Sequence, residues 1–415
     1  MSRSLFNRFL ARTVKRGCLT VTYADGTSTT FGQPADGFPD VSIRLTDARV
    51  PRDVVMDPRL GAGEAYMDGR IVVENAGIME LIQLLRRNQP WDKGEKLASP
   101  TLRRRLLDRV RYALRSVNKP GSSKRNVSHH YDVGNELYRL MLDEEHMQYS
   151  CAYWPREDMT LGEAQEAKLA HIAAKLALQP GQRVLDIGCG WGGMAIFLAQ
   201  RAGVEVHGIT LSEEQLKLAR ERAVEAGVAD KVSFELIDYR DLAARGDTFD
   251  RIVSVGMFEH VGTPQFETFF RACANLMHDD GVMLVHTIGR MGTPGTTDAF
   301  TDKYIFPGGY IPALSETVAA SEKVRLIATD VETLRLHYNL TIQEWYRRSM
   351  ANREAIIAMY DERFFRMWTF YLAGAATSFE SGKMCNYQIQ YVRSRHALLL
   401  TRTYIEEAER SLLAS

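Results

Sequence analysis

Residues 183–202 read as one unit. An apolar strand, RVLDIG (183–188), enters the glycine-crowded turn Gly188-Cys189-Gly190-Trp191-Gly192-Gly193, and a helix, GMAIFLAQRA (193–202), follows. A strand this continuously apolar has no face left for solvent, so it must be covered by helices on both sides. The pattern repeats downstream. VEVHGITL (204–211) is a second strand, and SEEQLKLARERAVEAG (212–227) a helix with Ser212 as its N-cap. KVSFELID (231–238), FDRIVSVG (249–256) and GVMLVHTIG (281–289) are three more strands. Strand and helix in this alternation predict an α/β fold with a doubly wound, mostly parallel sheet.

The turn itself narrows the chemistry. Gly188, Gly190 and Gly193 satisfy G-x-G-x-x-G and by themselves permit a dinucleotide site. Two features argue otherwise. Asp186 stands two residues before the first glycine, where a dinucleotide site has a plain apolar strand. The end of the second strand, Gly208-Ile209-Thr210-Leu211, offers no acid for a ribose 2′-hydroxyl. A D-x-G-x-G turn suits S-adenosylmethionine (SAM) instead. Its glycines admit close approach of the methionyl part, and the Asp186 carboxylate organises the loop near the ammonium. Asp238, ending the third strand, is placed to accept from an adenine amino group with Tyr239 stacking beside it; the same carboxylate is equally placed to cap the turn Arg240-Asp241-Leu242.

Glu259-His260 follows the fourth strand, at the end where open α/β sheets carry their sites. His286, alone inside the fifth strand, reads as a satisfied core histidine. Cys151, in Gln148-Tyr149-Ser150-Cys151-Ala152-Tyr153-Trp154, reads as a small buried residue. Aromatics are dense here and again at Tyr338, Trp345, Tyr346, Phe364, Phe365, Trp368, Phe370 and Tyr371. Aromatic faces stabilise a cation; most of the later group is assigned to a core.

The remainder is organised differently. LTVTYADGTSTTF (19–31) predicts a hairpin about Asp25-Gly26, VSIRLTD (41–47) a short strand and 76–87 a helix, so 1–90 form a small α+β domain without a catalytic motif. The 52 basic and 52 acidic side chains cancel overall, but residues 86–125 hold thirteen basic against three acidic. Such density points to an anionic partner, nucleic acid or a phospholipid surface. Within it, TLRRRLLDRVRYALRSV (101–117) aligns Leu102, Leu106, Val110, Ala113, Leu114 and Val117 along one helical stripe. An interfacial helix on an anionic membrane and a linker helix packed on its own protein both fit that pattern. KPGSSKRN (119–126) is a linker. A chain of 415 residues exceeds a single core, and the division expected is 1–125, a lipid- and membrane-associating domain with its basic linker, and 126–415, the catalytic domain.

No run approaches the ~18 apolar residues of a spanning helix, and the N-terminus, broken by Arg3, Arg8 and Arg12, lacks the apolar core of a secretory signal. Five scattered cysteines (18, 151, 189, 273, 385) without a C-x-x-C predict a reducing, cytoplasmic setting and no metal site.

Together these segments resemble the cyclopropane-fatty-acyl-phospholipid synthases, the family that includes the mycolic acid cyclopropane synthases. The resemblance rests on HYDVGNELYRLMLDEEHMQYSCAYW (130–154), RVLDIGCGWGG (183–193), GITLSEEQ (208–215), DYRDL (238–242), FDRIVSVGMFEHVG (249–262), HTIG (286–289) and KYIFPGGYIP (303–312). GAGEAYMDGRIVVE (61–74) extends it to the N-terminal domain of the longer members. It implies a class I SAM-dependent methyltransferase fold and transfer of a methylene from SAM across a cis double bond of a phospholipid acyl chain. It also implies a homodimer, peripheral on the inner face of the membrane, with no nucleic-acid partner. Carried over by position, Tyr149, Ser150, Asp186, Gly188, Gly190, Thr210, Leu211, Gln215, Asp238 and Tyr239 would line the SAM site. Cys151, Glu259, His286, Ile288 and Tyr338 would form a pocket for bound bicarbonate, the base of the reaction. Many members carry a cysteine where this chain has Ala375. That departure excludes a cysteine nucleophile there and leaves open a product that stops at a methyl branch. A nucleic-acid methyltransferase would also use the basic segment, but no Asn-Pro-Pro-Tyr-type motif is present. Against a non-catalytic lipid binder stand the intact Glu259, His286, Gly188 and Gly190.

Overall fold

The structure, a computed structural model, describes residues 2–94 and 134–414. The described chain divides into two compact units. The first runs to residue 94 and also takes Thr297–Pro307 and Asn339–Met384; the second takes 134–296, Gly308–Tyr338 and 385–414.

The first unit is built on a four-stranded sheet of order β2-β1-β3-β4, with β1 Gly17–Thr22, β2 Ser28–Gln33, β3 Val41–Leu45 and β4 Ile71–Val73. The hairpin forms as its turn chemistry predicts: β1 and β2 pair antiparallel, Leu19 opposite Phe31, around Gly26 at φ 80°. β3 lies parallel to β1, and β4 antiparallel to β3. The helix expected at 76–87 spans Ile78–Arg87. Its charges serve its own unit, since Arg87 pairs with Glu380 (2.6 Å) and Arg86 donates to Ser378 Oγ (3.2 Å). The late aromatics complete this unit: Trp345 and Trp368 are fully buried, and Phe370 packs on Phe300 at 4.8 Å. Compactness therefore does not follow chain order, because helices from 339–380 cover elements from the first hundred residues. The boundary expected at 125, the basic helix 101–117 and the linker 119–126 lie outside the described residues.

The second unit carries a seven-stranded sheet of order β10-β11-β9-β8-β5-β6-β7. Here β5 is Arg183–Ile187, β6 Glu205–Thr210, β7 Val232–Leu236, β8 Phe249–Val255, β9 Met277–Arg290, β10 Ile327–Leu334 and β11 Met384–Val392. The five expected strands are β5 to β9, and they pair in parallel. Alternate residues of β5 enter opposite layers. Leu185 and Ile187 join Phe258, Phe269 and Phe270, while Val184 joins Phe197, Leu198 and Phe234. Each such fully buried side chain contributes roughly 1.5–3 kcal/mol. The chain winds from β5 through β6 to β7, then returns to β8 on the other side. β5 thus marks the switch point, and its C-terminal end opens onto the glycine turn. Strands β10 and β11, antiparallel to one another, were not expected. The Asn386, Gln388 and Gln390 of β11 look like a solvent face, yet all three are buried. Among the described residues no helix is long and apolar enough to cross a membrane.

Candidate active site

A pocket opens beyond β5, between the glycine turn and the ends of β6, β7 and β8. It is lined by Tyr149, Ser150, Asp186, Gly188, Gly190, Thr210, Leu211, Gln215, Asp238 and Tyr239, all ten positions singled out above. The turn makes it concave. Gly188 sits at φ 83°, and a Cβ there would lie 2.9 Å from Met257. Its N–H and that of Cys189 both donate to Ile209 O, at 2.9 and 3.0 Å. Gly193 opens the helix Gly193–Ala202, and a Cβ on it would meet His146 O at 2.1 Å. The loop 143–150 can therefore lie directly on the turn.

That loop is heavily tied. Asp143 accepts from the backbone N–H groups of His146 (2.7 Å) and Gln148 (2.9 Å), and Met147 between them adopts φ 48°. Gln165 donates to Ser150 O at 3.0 Å. Lys168, wholly buried on the helix Leu161–Lys175, donates to Gln148 Oε1 and to Ser150 Oγ (3.1 Å). Tyr149 meets Tyr138 edge-on at 5.0 Å, and Tyr138 meets Trp191 at the same distance.

Two acids serve the pocket differently. Asp186 is 2% exposed, its Oδ2 has no hydrogen-bond partner, and burial pushes it up to about 7. Asp238 does cap its helix, accepting from Arg240 N at 2.9 Å, and it also receives the Arg240 guanidinium at 2.7 and 2.6 Å. Lining and capping thus coexist in one carboxylate. Thr210 donates to Gln215 Oε1 (2.9 Å), and Ser212 is the N-cap expected, accepting from Gln215 N at 3.3 Å. His260, singled out with Glu259 beyond the fourth strand, does line the pocket, whereas sequence reasoning passed over Met147, Gln148 and Met257, which also line it. It passed over Lys168 too, whose only signal was a lysine inside an alanine-rich helix.

The residues expected around an anion fall into two groups. Glu259, in the single turn Phe258–His260, is 8% exposed, and its Oε1 accepts from Ile288 N at 2.6 Å. Its Oε2 is buried without a partner, and burial pushes this acid up to about 7. His286 and Ile288 are two apart on β9 and share a face. His286 is buried and held well below its ordinary value by burial and by Lys168 and Lys175, so it is neutral. Gln388 commits its Oε1 to Lys175 (3.0 Å) and turns its amide N–H toward His286 Nδ1 (3.2 Å), which leaves the imidazole proton on Nε2. Nε2 faces the Asn386 amide at 3.4 Å, and Asn386 Oδ1 is without a partner; turning that amide over satisfies both. Cys151 and Tyr338, both buried, come from the second pair of segments, joined where Trp154 N donates to His337 Nδ1 at 2.9 Å. Tyr153 is stacked between His171 (4.1 Å) and His337 (5.1 Å). Ala375 lies on the helix Glu362–Glu380 of the first unit.

A doubly wound sheet with its pocket at the switch point, an acid two residues before a glycine turn and an acid just past β7 define a class I SAM-dependent methyltransferase. The comparisons narrow the class. A family model described as mycolic acid cyclopropane synthetase matches residues 118–389, more than half of the chain, and the chain belongs to that family. A second model, a domain of unknown function (DUF7884), matches residues 5–91. The chain is 38% identical over 367 residues to the cyclopropane-fatty-acyl-phospholipid synthase of Escherichia coli strain K12, covering 87% of this chain and 90% of that protein. It is 33% identical over 413 residues to the tuberculostearic acid methyltransferase UfaA1 of Mycobacterium tuberculosis, covering 94% and 92%. Among solved structures, the mycolic acid cyclopropane synthase CmaA1 complexed with SAH and CTAB superposes with a TM-score of 0.61 at 33% identity, over 65% of this chain and 97% of that one.

Proposed function

We propose that this enzyme transfers a methylene from SAM across a cis double bond of an unsaturated phospholipid acyl chain, closing a cyclopropane ring. The observation that carries the reading is Glu259: a buried acid anchored by one backbone N–H, with its second oxygen unpartnered, just beyond the strand that borders the SAM pocket.

The chemistry fits such a site. An alkene is a weak nucleophile, so its π pair must meet the sulfonium methyl in line, in a pocket that excludes water. A C–C bond forms, the S–C pair returns to sulfur, and a carbocation remains on the neighbouring carbon. Tyr149 and Tyr239 line the SAM pocket, and faces of that kind favour positive charge over hydroxide chemistry. Ring closure requires one proton to leave the transferred methyl, its C–H pair becoming the second C–C bond. Glu259 Oε2 suits a small oxyanion carrying a hydroxyl, which a neutral carboxyl or carboxylate can engage by hydrogen bonding. Cys151, His286, Ile288 and Tyr338 would complete that pocket. Bicarbonate, held there, supplies a base without exposing a protein carboxylate to the cation.

A second reading keeps the donor and changes the fate of the cation. It is favoured by the similarity to UfaA1, named a methyltransferase, and by Ala375, and it ends in a methyl-branched, unsaturated chain. Proton NMR of the lipids formed from SAM and vesicles of a cis-monounsaturated phospholipid separates the two. Upfield ring protons are the expected result; a vinylic methyl or a methyl doublet without them overturns the synthase reading. Peripheral membrane attachment through the basic segment is tested separately. Replacing several of its arginines should weaken partitioning onto anionic vesicles while SAM binding persists, and unchanged partitioning would overturn that attachment.

A further inference from the structure

Asn386 and Gln388 of β11 bury their amides beside His286, and the way each amide faces follows from a group that can only donate. Lys175, its side chain 1% exposed, is paired with Glu332 and lies 3.6 Å from Asp330, so it is an ammonium with no acceptor to offer. It donates to Gln388 Oε1 at 3.0 Å. The Gln388 NH2 therefore faces His286 Nδ1, at 3.2 Å. Nδ1 is then the acceptor of a neutral ring, and Nε2 carries the proton. Nε2 faces the Asn386 amide at 3.4 Å, and of that amide only Oδ1 can receive an N–H. With its oxygen so committed, Asn386 turns its NH2 into the position that is buried and has no hydrogen-bond partner among the described residues. A buried amide donor left unmet is costly, and such groups nearly always have an acceptor.

Glu259 reaches the same stretch of the sheet from the other side. β9 lies between β11 and β8. Glu259, just past β8, takes the N–H of Ile288 and leaves its own Oε2 unpartnered. Ile288 and His286 are two apart on one face of β9, a rise of roughly 7 Å. Around 286–288 the fold thus leaves one unmet amide donor and one unmet carboxyl oxygen.

We propose that Asn386 is a further binding residue for the small oxyanion: its NH2, aimed in turn by Lys175, Gln388 and His286, donates to an oxygen of the anion whose hydroxyl Glu259 engages. This rests on the reading that such an anion is held beside Glu259, and adds a neutral donor from β11. His286, its proton committed to Asn386, serves the pocket by turning that amide. Gln388 and Lys175 are positioning residues, since they fix which ring nitrogen of His286 carries the proton. A donor of this kind binds the anion without placing a fixed positive charge beside the carbocation.

The test reads the anion and the imidazole apart from turnover. Labelled bicarbonate is titrated by NMR into the intact protein, Asn386→Leu, Asn386→Asp, Gln388→Leu and Glu259→Ala. Nitrogen NMR of histidine-labelled protein reports the tautomer of His286, assigned by the signals lost in His286→Gln. In the intact protein the proton is expected on Nε2. Asn386→Leu, which removes the donor without adding charge, weakens bicarbonate binding roughly tenfold or more, the range of a hydrogen bond to a charged group. Asn386→Asp keeps an acceptor for Nε2–H but offers no donor, and weakens it at least as much. SAM affinity is unchanged in both. Gln388→Leu weakens bicarbonate binding too, and its His286 signals move toward a mixture of tautomers, which a packing role alone would not produce. A proton on Nδ1 in the intact protein overturns the proposal even if every variant fails to fold. Bicarbonate affinity unchanged in Asn386→Leu but lost in Glu259→Ala overturns the proposal and leaves the anion site standing. Binding that is absent from the intact protein, or indifferent to Glu259→Ala, overturns the anion site and the proposal with it.

Discussion

Asp186 and Glu259 are two buried acids at the ends of neighbouring strands, each with one oxygen unpartnered and each pushed up to about 7 by burial. Their surroundings separate them. Asp186 has a buried lysine acting on it, whereas Glu259 has only uncharged donors, the backbone N–H groups of Ile288 and of Glu259 itself and the Thr287 side chain. A lysine carries a full charge that favours the carboxylate, whereas these donors carry partial charges that burial of Glu259 outweighs. In the proposed mechanism the same residue chemistry would serve two tasks, a receptor for a cationic cosubstrate and a hydrogen-bonding anchor that places no fixed charge beside a carbocation.

The largest effect is expected at the anchor. Glu259→Ala should lower turnover by about 10²-fold or more, the range typical of groups that govern proton transfer, while SAM affinity changes little; an equal fall in SAM affinity would merge the two sites and break the contrast. Next comes the receptor: Asp186→Asn should weaken SAM binding at neutral pH by about 10- to 100-fold, the cost of a charge-assisted hydrogen bond, with turnover at saturating SAM far less affected. Gly188→Ala should weaken SAM binding by about tenfold, because the new Cβ at φ 83° lies against Met257 and strain of that kind costs on the order of 1–3 kcal/mol.

Stability against pH gives a smaller, signed effect. Because Glu259 is raised when folded, its protonated form stabilises the fold at low pH, and that contribution is lost as pH rises from its unfolded value of 4.5 through about 7. Glu259→Gln should therefore lose less stability than the intact protein across this window in denaturant titrations, and parallel curves would refute the raised acid. Smallest of all, Ala375→Cys should leave turnover within about twofold, since the proposed chemistry requires no thiol there; a large gain would reinstate a cysteine route.

The contrast also marks what the sequence could show. Of the pocket-lining residues named beforehand, Asp186, Gly188, Gly190, Asp238 and Tyr239 sit on a local signal, the glycine turn or the end of a strand, where position along the strand sets position in space, whereas Tyr149, Ser150 and Gln215, on a loop and a helix, needed the family resemblance. The proposed anion site could be named only through the family resemblance, because Cys151, His286 and Tyr338 look individually like core residues and come from distant segments. Lys168 carried only the weak signal of a lysine inside an alanine-rich helix, since neither its burial nor the loop it fastens can be read from its neighbours. β11 was missed for a related reason: Asn386, Gln388 and Gln390 mimic a wet face while bonding to His286, the Lys175 carbonyl and Lys175 itself. The aromatics of the helix Glu362–Glu380 could be assigned to a core from the sequence, but not to the core of the first unit, which they complete.

The most direct test uses SAM labelled with deuterium throughout its methyl group, with a cis-monounsaturated phospholipid, counting label in a product whose ring protons are checked by NMR. Ring closure requires the proton to leave the transferred methyl, so the account predicts a cyclopropane carrying two of the three deuteriums. A product retaining all three, with no ring, would show that the cation loses its proton from the acyl chain and would contradict the role given to the pocket around Glu259.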